Sequence, residues 1–455
     1  MLVDKLHKVY FLGIGGIGMS ALARYFNTLG AKVSGYDKTP SPLTDDLIDE
    51  GIAIHFEEDI NKIPIDTDLV IYTPAIPTSN KEFIYITASK IPLVKRSKIL
   101  GEITSGKFTV AVAGTHGKTS VSSIITHILE NSGKKVCAFI GGIMKNYDSN
   151  FIYSEDPEIF VVEADEYDKS FLELNPDIAV ITAIDADHLD IYGSFENLEN
   201  AFTEFTGNIK TGGCLIVNEK IRGKNFSDHI DMFTCGMNSD NSAYISDFII
   251  NDGKTNLDLA FSGNYNTINV QWSLPGEYNM ENALAASLVA KIFGIDDTSI
   301  KNSLENYKGV KRRFDIQIQS ENLVYIDDYA HHPAEIKACI QGVRDLFPGK
   351  KICGVFQPHL FSRTKDFASE FAESLEPLND IILLDIYPAR EKPISGVDSG
   401  IILEKISNEN KSQCSKEELI ETLKSKDFDI LLSLGAGNID SLVDTIKEEL
   451  LKRNV

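Results

Sequence analysis

Residues 114–121, GTHGKTSV, constrain this chain more than any other stretch. They follow an apolar, β-branched run over 108–113 (FTVAVA), and a helical pattern over 121–131 comes after them. A strand, a glycine-containing turn and a helix start therefore meet at one point. Such a turn aims backbone N–H groups and a helix N-terminus at a single spot, which suits a phosphate. Lys118 adds a mobile positive charge for β- and γ-phosphates, and the Thr119 hydroxyl is a hard oxygen ligand for Mg2+. The standard phosphate-loop pattern places its first glycine where this chain has Val112, so the loop is a shortened variant.

The pattern around it repeats the same architecture. Strands are predicted over 9–12, 31–36 and 69–73, with helices over 19–29 and 44–50 between them, which is βαβ organisation on a parallel sheet. The more polar stretch 97–107, with Gly101 and Gly106, is read as the first boundary. Strands then follow over 108–113, 136–140, 159–163, 178–184 and 214–218. Residues 242–272 alternate polar and apolar with Asn, Asp and Gly breaks, which predicts an antiparallel excursion typified by 267–272. An Ala-rich helix is expected over 281–293. Near Lys311 the pattern restarts, with strands over 323–326, 351–356, 380–385 and 430–434 and helices over 334–346, 367–375 and 439–450. The fold class is α/β, with three domains in series over 1–107, 108–311 and 312–455. The first and last are Rossmann-like, and the middle one is a P-loop ATP-binding α/β domain with the antiparallel excursion.

At 455 residues the chain is too long for one core. Its formal net charge of −23 argues against non-specific nucleic-acid binding and against an anionic membrane surface. It also means that an anionic substrate must be held by locally placed cations. Cys137, Cys214, Cys235, Cys339, Cys353 and Cys414 are scattered without the close pairs of metal or redox motifs, and read as buried hydrophobes in a reducing, cytoplasmic setting. Lys5, Lys8 and the apolar run 9–23 superficially resemble a secretion signal, but four glycines in that run argue against it. No stretch approaches the ~18 apolar residues of a membrane-spanning helix.

Several strand ends carry chemistry. Gly13, Gly15 and Gly18 in VYFLGIGGIG fit G-x-G-x-x-G between a strand and a helix, and Asp37 ends the next strand. That pattern asks for a diphosphate at a helix N-terminus and a sugar hydroxyl near an acid, which a dinucleotide or a UDP-sugar supplies. In VVEADEYD, Glu163 follows an apolar strand and could complete a Mg2+ shell with Thr119. In ITAIDADHLD, His188 stands among Asp185, Asp187 and Asp190, where a metal or phosphate role weighs against a structural one. Asn279 and Asn282, three apart, would share a helix face where amides could read an adenine edge, or Asn279 simply caps the helix. KRRF over 311–314 stands at a domain junction. DDYAHHP (327–333), FQPHLFSRT (356–364) and DIYPAREKP (385–393) load three further strand ends with His, Asp or Arg, implying one crevice at a sheet edge.

Together GIGGIGMSALA, AGTHGKTS, VVEADEYDKSFL, DADHLDIYGS, the Asn pair after Gly276, KRRF, DDYAHHP, FQPHLFSRT and GAGNI resemble the Mur ligase family, from about residue 8 to residue 440. The resemblance implies a first domain for a UDP-sugar, a second for ATP and a third for the incoming amino acid. It brings Gly15, Gly16 and Gly18 to the UDP diphosphate, with Asp37 and Thr73 on the substrate side. Gly114, Thr115, His116, Gly117, Lys118, Thr119 and Ser120 would wrap the ATP phosphates. Thr119, Glu163 and His188 would hold Mg2+, and Asn282 would bond adenine. Arg313 and Asp328 would touch ATP, while His331, His359 and Arg363 would face the amino acid. Relatives often carry His where this chain has Tyr278, and no lysine between Lys169 and Lys210 is placed for the carboxylated lysine of other members.

The activity implied is ATP-dependent amide-bond formation on UDP-N-acetylmuramate through an acyl phosphate, with L-alanine as the amine, by a monomer or homodimer in cell-wall precursor synthesis. A ligase that attaches a whole murein tripeptide to the same sugar nucleotide is the nearest alternative. An NAD-dependent oxidoreductase would leave the P-loop and both acidic strand ends unused. A nucleotide-controlled switch without catalysis is the third possibility.

Overall fold

The computed structural model describes residues 3–186, 188–228, 230–251, 254–263, 267–389 and 391–453. Packing divides the chain into two compact units. One comprises Met1–Asp247, Leu257–Val270 and Glu281–Lys308, the other Phe248–Asn256, Gln271–Met280 and Gly309–Val455.

The first unit opens with a parallel sheet of β1 (Lys8–Leu12), β2 (Lys32–Tyr36), β3 (Ala53–His55), β4 (Leu69–Tyr72) and β5 (Leu93–Lys95), ordered β3-β2-β1-β4-β5. The glycine turn follows β1, and β4 lies on the other side of β1 from β2. The turn thus sits at the point where strand order reverses, and open α/β sheets bind ligands there. Side chains alternate along the strands. Val9 and Phe11 join the helix Ile17–Thr28 on one face, and Tyr10, Leu12, Tyr36 and Val70 form a second cluster on the other.

A ten-stranded sheet follows: β6 (Phe108–Ala113), β7 (Val136–Met144), β8 (Ser149–Tyr153), β9 (Ile159–Glu163), β10 (Ile178–Ile181), β11 (Cys214–Asn218), β12 (Asp231–Gly236), β13 (Ala243–Asn251), β14 (Lys254–Phe261) and β15 (Ile268–Trp272). Its order is β15-β14-β13-β12-β11-β10-β6-β9-β7-β8. β6 lies between β10 and β9 and is parallel to both. The segments that leave these three strands therefore emerge at one edge. β13, β14 and β15 are neighbours in this sheet, the excursion that the alternation over 242–272 predicted.

One continuous core joins these two sheets: Phe11, Leu22 and Phe26 belong to the same buried cluster as Ala111, Phe139, Phe160 and Phe171. Tyr25 sits within it, its ring 5.6 Å from Phe139 and 6.2 Å from Phe151. Asn150 is fully buried and donates to the Ile17 carbonyl at 2.6 Å and to the Ser20 hydroxyl at 2.9 Å. It also accepts from Arg24. The polar stretch read as a boundary is a helix, Arg96–Thr104, that buries Ile99, Leu100 and Ile103. Arg96, Lys98 and Glu102 interrupt that apolar stripe, so composition alone marks the stretch as polar.

The second unit carries β16 (Asp315–Gln319), β17 (Val324–Asp328), β18 (Ile352–Phe356), β19 (Asp380–Leu383), β20 (Lys411–Gln413) and β21 (Ile430–Leu434), ordered β16-β17-β21-β18-β19-β20. Only β16 runs antiparallel among these pairings. Ile326, Phe356, Leu383 and Leu432 pack on one face with the helix Pro333–Leu346, and Tyr325, Val355, Ile382 and Leu431 pack on the other. None of the six cysteines is in a disulfide, and five of them are buried. Among the described residues, no helix is long and apolar enough to cross a membrane.

Candidate active site

The phosphate loop leaves β6 and enters the helix Lys118–Asn131, which starts three residues before the apolar periodicity does. Gly114 and Gly117 take φ of 131° and 80°, where a side chain is strained. A Cβ on Gly114 would stand 2.9 Å from the Ala183 nitrogen, and one on Gly117 2.8 Å from the Asn282 Oδ1. The loop is thus pressed between Asn282 and the segment leaving β10. Thr115 N–H donates to the Ala183 carbonyl at 3.0 Å, and Asp185 N–H donates to the Thr115 hydroxyl at 3.1 Å. His116 Nε2 lies 3.4 Å from Asp185 Oδ2. Gly117 caps the helix without a side-chain hydrogen bond, so the first-turn N–H groups, Ser120 among them, point toward the loop mouth.

Lys118 does not reach into open space. Its ammonium donates to the Gly114 carbonyl at 2.7 Å and to Glu166 Oε1 at 2.9 Å, with Glu166 Oε2 at 2.8 Å. The Glu166 side chain is fully buried. Burial works against the charge on Lys118, but Glu166, Asp165 and Glu163 outweigh it and hold its pKa above the ordinary lysine value. Burial also opposes the charge on Glu166, and Lys118 and His188 overcome that, leaving its pKa below the usual carboxylate range. Burial, assisted by Glu166, pushes Asp165 up despite Lys118 and Arg96. Glu166 is the site residue that sequence reading passed over. It lies in the quoted acidic run, but its pairing partner is 48 positions away.

Thr119 donates its hydroxyl to Glu163 Oε2 at 2.9 Å, and Gly141 N–H donates to the same oxygen at 2.9 Å. Glu163 ends β9 and Thr119 starts the P-loop helix, so adjacent parallel strands bring the pair together. His188, at φ 54°, is placed differently: its Nε2 is 3.6 Å from Glu166 Oε1, and its ring meets Tyr167 edge-on at 5.2 Å. Among the described residues no three His, Cys, Asp or Glu side chains gather as a metal cage. Asp187, read as one of three aspartates around His188, lies outside the described residues, as does Arg390.

At the glycine turn, Gly13 takes φ 85° and a Cβ there would stand 2.6 Å from Thr73 Cγ2, so Thr73 packs directly on the turn. Gly16 precedes the helix Ile17–Thr28 as its cap. Gly15 N–H donates to Asp37 Oδ2 at 2.8 Å. The acid expected near a nucleotide sugar therefore braces the turn itself. A Cβ on Gly18 would touch Arg96, 3.0 Å from Nη1.

In the second unit, the ends of β17, β18 and β19 come together as the three loaded motifs implied. The His331 and His359 rings are 6.1 Å apart, and His359 stacks on Tyr387 at 5.9 Å. His331 Nδ1 lies 3.3 Å from Glu335. Arg313 lies over the Tyr329 ring at 4.9 Å. Arg363 lies in the short helix Phe361–Asp366 and is half-buried. Asp328 is buried, and its oxygens accept from Phe314 N–H at 2.6 Å and Ala330 N–H at 2.7 Å. Burial drives its pKa up to about 6 against the pull of Arg313 and those two bonds. Tyr278 is half-buried beside Gly276, its phenol pushed well up by its enclosed surroundings and then by Cys339 and Asp328. Asn279 donates to the Pro275 carbonyl at 2.7 Å, a bond that ties the helix start to the preceding turn.

The chain matches three family models in series. These are the Mur ligase family catalytic domain over residues 8–108, the Mur ligase middle domain over 112–290, and the Mur ligase glutamate ligase domain over 312–437. It is 49% identical over 454 residues to a UDP-N-acetylmuramate–L-alanine ligase of Flavobacterium psychrophilum, covering 99% of each chain. Its fold is similar to the crystal structure of the UDP-N-acetylmuramate–alanine ligase of Thermotoga maritima, with a TM-score of 0.84, 27% identity, and 98% of this chain and 99% of that one covered. A murein peptide ligase from Psychrobacter arcticus shares the fold at a TM-score of 0.73 and 20% identity, over 98% of both chains.

Proposed function

The chain belongs to the Mur ligase family, and from that premise we propose how its residues divide the work. It is an ATP-dependent ligase that joins L-alanine to UDP-N-acetylmuramate in peptidoglycan synthesis. The finer assignment is that the domain over 1–107 takes the UDP-sugar, the domain over 108–311 takes ATP and the domain over 312–455 takes the amino acid. The observation that carries the ATP assignment is the convergence of Lys118, Thr119 and Glu163 at the ends of β6 and β9.

A carboxylate is a poor electrophile, so the sugar's lactyl carboxylate oxygen attacks the γ-phosphorus, the bond to the β–γ bridging oxygen breaks and ADP departs. The alanine amine then attacks the carbonyl of the acyl phosphate, gives up a proton and expels inorganic phosphate. Lys118 neutralises charge on the transferred group, a contribution of position and electrostatics rather than covalent chemistry. In doing so it exchanges Glu166 for phosphate oxygens; beforehand the Glu166 carboxylate outweighs the cost of burial and keeps the lysine charged and in place. Backbone N–H groups between Gly114 and Ser120, other than that of Thr115, would hold the remaining phosphate oxygens. Asn282, whose Oδ1 lies against Gly117, would bond the base.

Thr119 and Glu163 fit Mg2+: a hydroxyl and a carboxylate oxygen 2.9 Å apart are hard donors. A cation that keeps most of its shell as water and phosphate needs no larger protein cage. When bound, Mg2+ would spread the charge of the β- and γ-phosphates. His188 would join through its contact with Glu166. His331 and His359 are candidates to take the proton from the alanine amine, and Arg363 is a candidate to bind its carboxylate. Buried thiols and the use of ATP support a reducing, cytoplasmic setting.

Purified protein given Mg2+, ATP, UDP-N-acetylmuramate and L-alanine is expected to release phosphate, and Lys118→Ala to lose at least ~100-fold in kcat. Phosphate release with a murein tripeptide in place of alanine, and none with alanine, would overturn the assignment of the amine.

A further inference from the structure

Arg96 is the first residue of the helix that follows β5, and no motif singled it out. One side of its guanidinium lies against Gly18, with Nη1 3.0 Å and Cζ 3.5 Å from where a Cβ would stand. On its other side Nη2 is 3.3 Å from Asp165 Oδ2. Asp165 in turn feels the charges of Lys118 and Glu166. The preceding residue repeats the link, Lys95 pairing with Asp168 at 2.7 Å. One partly buried cation therefore stands between the glycine turn and the acidic loop that holds the phosphate-loop lysine.

The charge balance at the turn says what that cation is for. A helix N-terminus offers roughly half a positive charge. Here Asp37 has already placed a carboxylate on the Gly15 N–H. A diphosphate brought to this turn meets a net negative environment unless a cation faces it, and a chain of net charge −23 has none to spare at a distance. A guanidinium carries five donors in a rigid fork, enough to keep Asp165 on one edge while a phosphate takes another.

We propose that Arg96 binds the diphosphate of the sugar nucleotide, and that its bridge to Asp165 fixes the span between that diphosphate and Lys118. Arg96 is then a substrate-binding residue and Asp165 a positioning residue. This rests on the reading that the glycine turn takes the sugar nucleotide.

The test is calorimetric binding of UDP and, separately, of ATP to the full-length protein. Arg96→Gln is expected to weaken UDP binding by about tenfold or more and to leave ATP affinity within about twofold. Asp165→Asn is expected to keep UDP affinity within about threefold while lowering kcat. Unchanged UDP affinity in Arg96→Gln overturns the proposal. So does an equal loss of UDP and ATP affinity, which marks a bridge that only holds the fold. If Arg96→Gln does not fold, Arg96→Lys keeps a charge between the loops. Its point charge cannot serve two anions through a fork, so UDP should bind at least about threefold more weakly, and wild-type affinity would overturn the proposal. Wild-type protein that turns over but binds no UDP would instead remove the reading of the glycine turn on which this stands.

Discussion

Asp328 accepts two backbone N–H groups and still has its pKa driven up to about 6 by burial. In the unfolded chain such a carboxyl ionises near about 3.9. Between those values the folded protein keeps a proton that the unfolded chain has lost. By linkage, the contribution of this residue to stability is full below about pH 4 and is lost as pH rises through about 6. The difference is roughly 2 to 4 kcal/mol. Asp328→Asn cannot ionise, so urea unfolding at pH 4 and pH 7 should show the variant gaining on the wild type by that amount, other carboxylates cancelling in the difference. Parallel curves would remove the raised pKa. At this scale the sequence was legible wherever a residue works through its own strand end, as Lys118, Thr119 and Glu163 do. Glu166 and Arg96 were not, because each matters through a partner far along the chain. Neither the spacing nor the type of a lone Glu or Arg reports such a partner.

Among the elements, the glycine turns were the most legible, because they are forced by backbone geometry rather than by neighbours. Gly117 and Gly133 bracket the same helix with φ of 80° and 75°, so Ala at either costs about 1 to 2 kcal/mol of strain. Their surroundings differ. A Cβ on Gly117 meets Asn282, whereas one on Gly133 meets nothing within 4 Å. Gly117→Ala is therefore expected to lower ATP affinity by about tenfold or more, and Gly133→Ala to lower stability alone. Equal loss of ATP affinity in both would show that helix strain, not the loop's fit against Asn282, controls nucleotide binding. Central strands such as β6 and β10 were legible as apolar runs, being buried on both faces. The three-residue edge strands β3, β5 and β20 were not, since so short a segment carries no period. Within the helix Arg96–Thr104, which overlaps the stretch read as a boundary, the apolar period is hard to see because Ile99, Leu100 and Ile103 alternate with polar and charged residues.

Across the molecule, motif order sets the glycine turn and the phosphate loop in separate sheets, but the core does not separate those sheets. Tyr25 makes the point. Its ring lies 5.4 Å from Phe26 in its own helix, and 5.6, 6.2 and 6.3 Å from Phe139, Phe151 and Tyr153 of β7 and β8. Helical spacing says that such a residue is buried; it cannot say against which sheet. A shared core has an energetic consequence, because removing one aromatic ring costs both sheets at once. Tyr25→Ala is expected to destabilise the first unit by roughly 3 to 5 kcal/mol. Amide hydrogen exchange distinguishes a shared core from two adjoining ones. If the sheets open together, protection of the β1 and β7 amides should fall by the same factor in the variant. If β1 loses protection while β7 keeps it, the two sheets unfold separately and the contact is a docking surface between domains. The first outcome also fits the proposed division of work, in which a diphosphate on one sheet and a triphosphate on the other would have to be held at one distance during phosphate transfer.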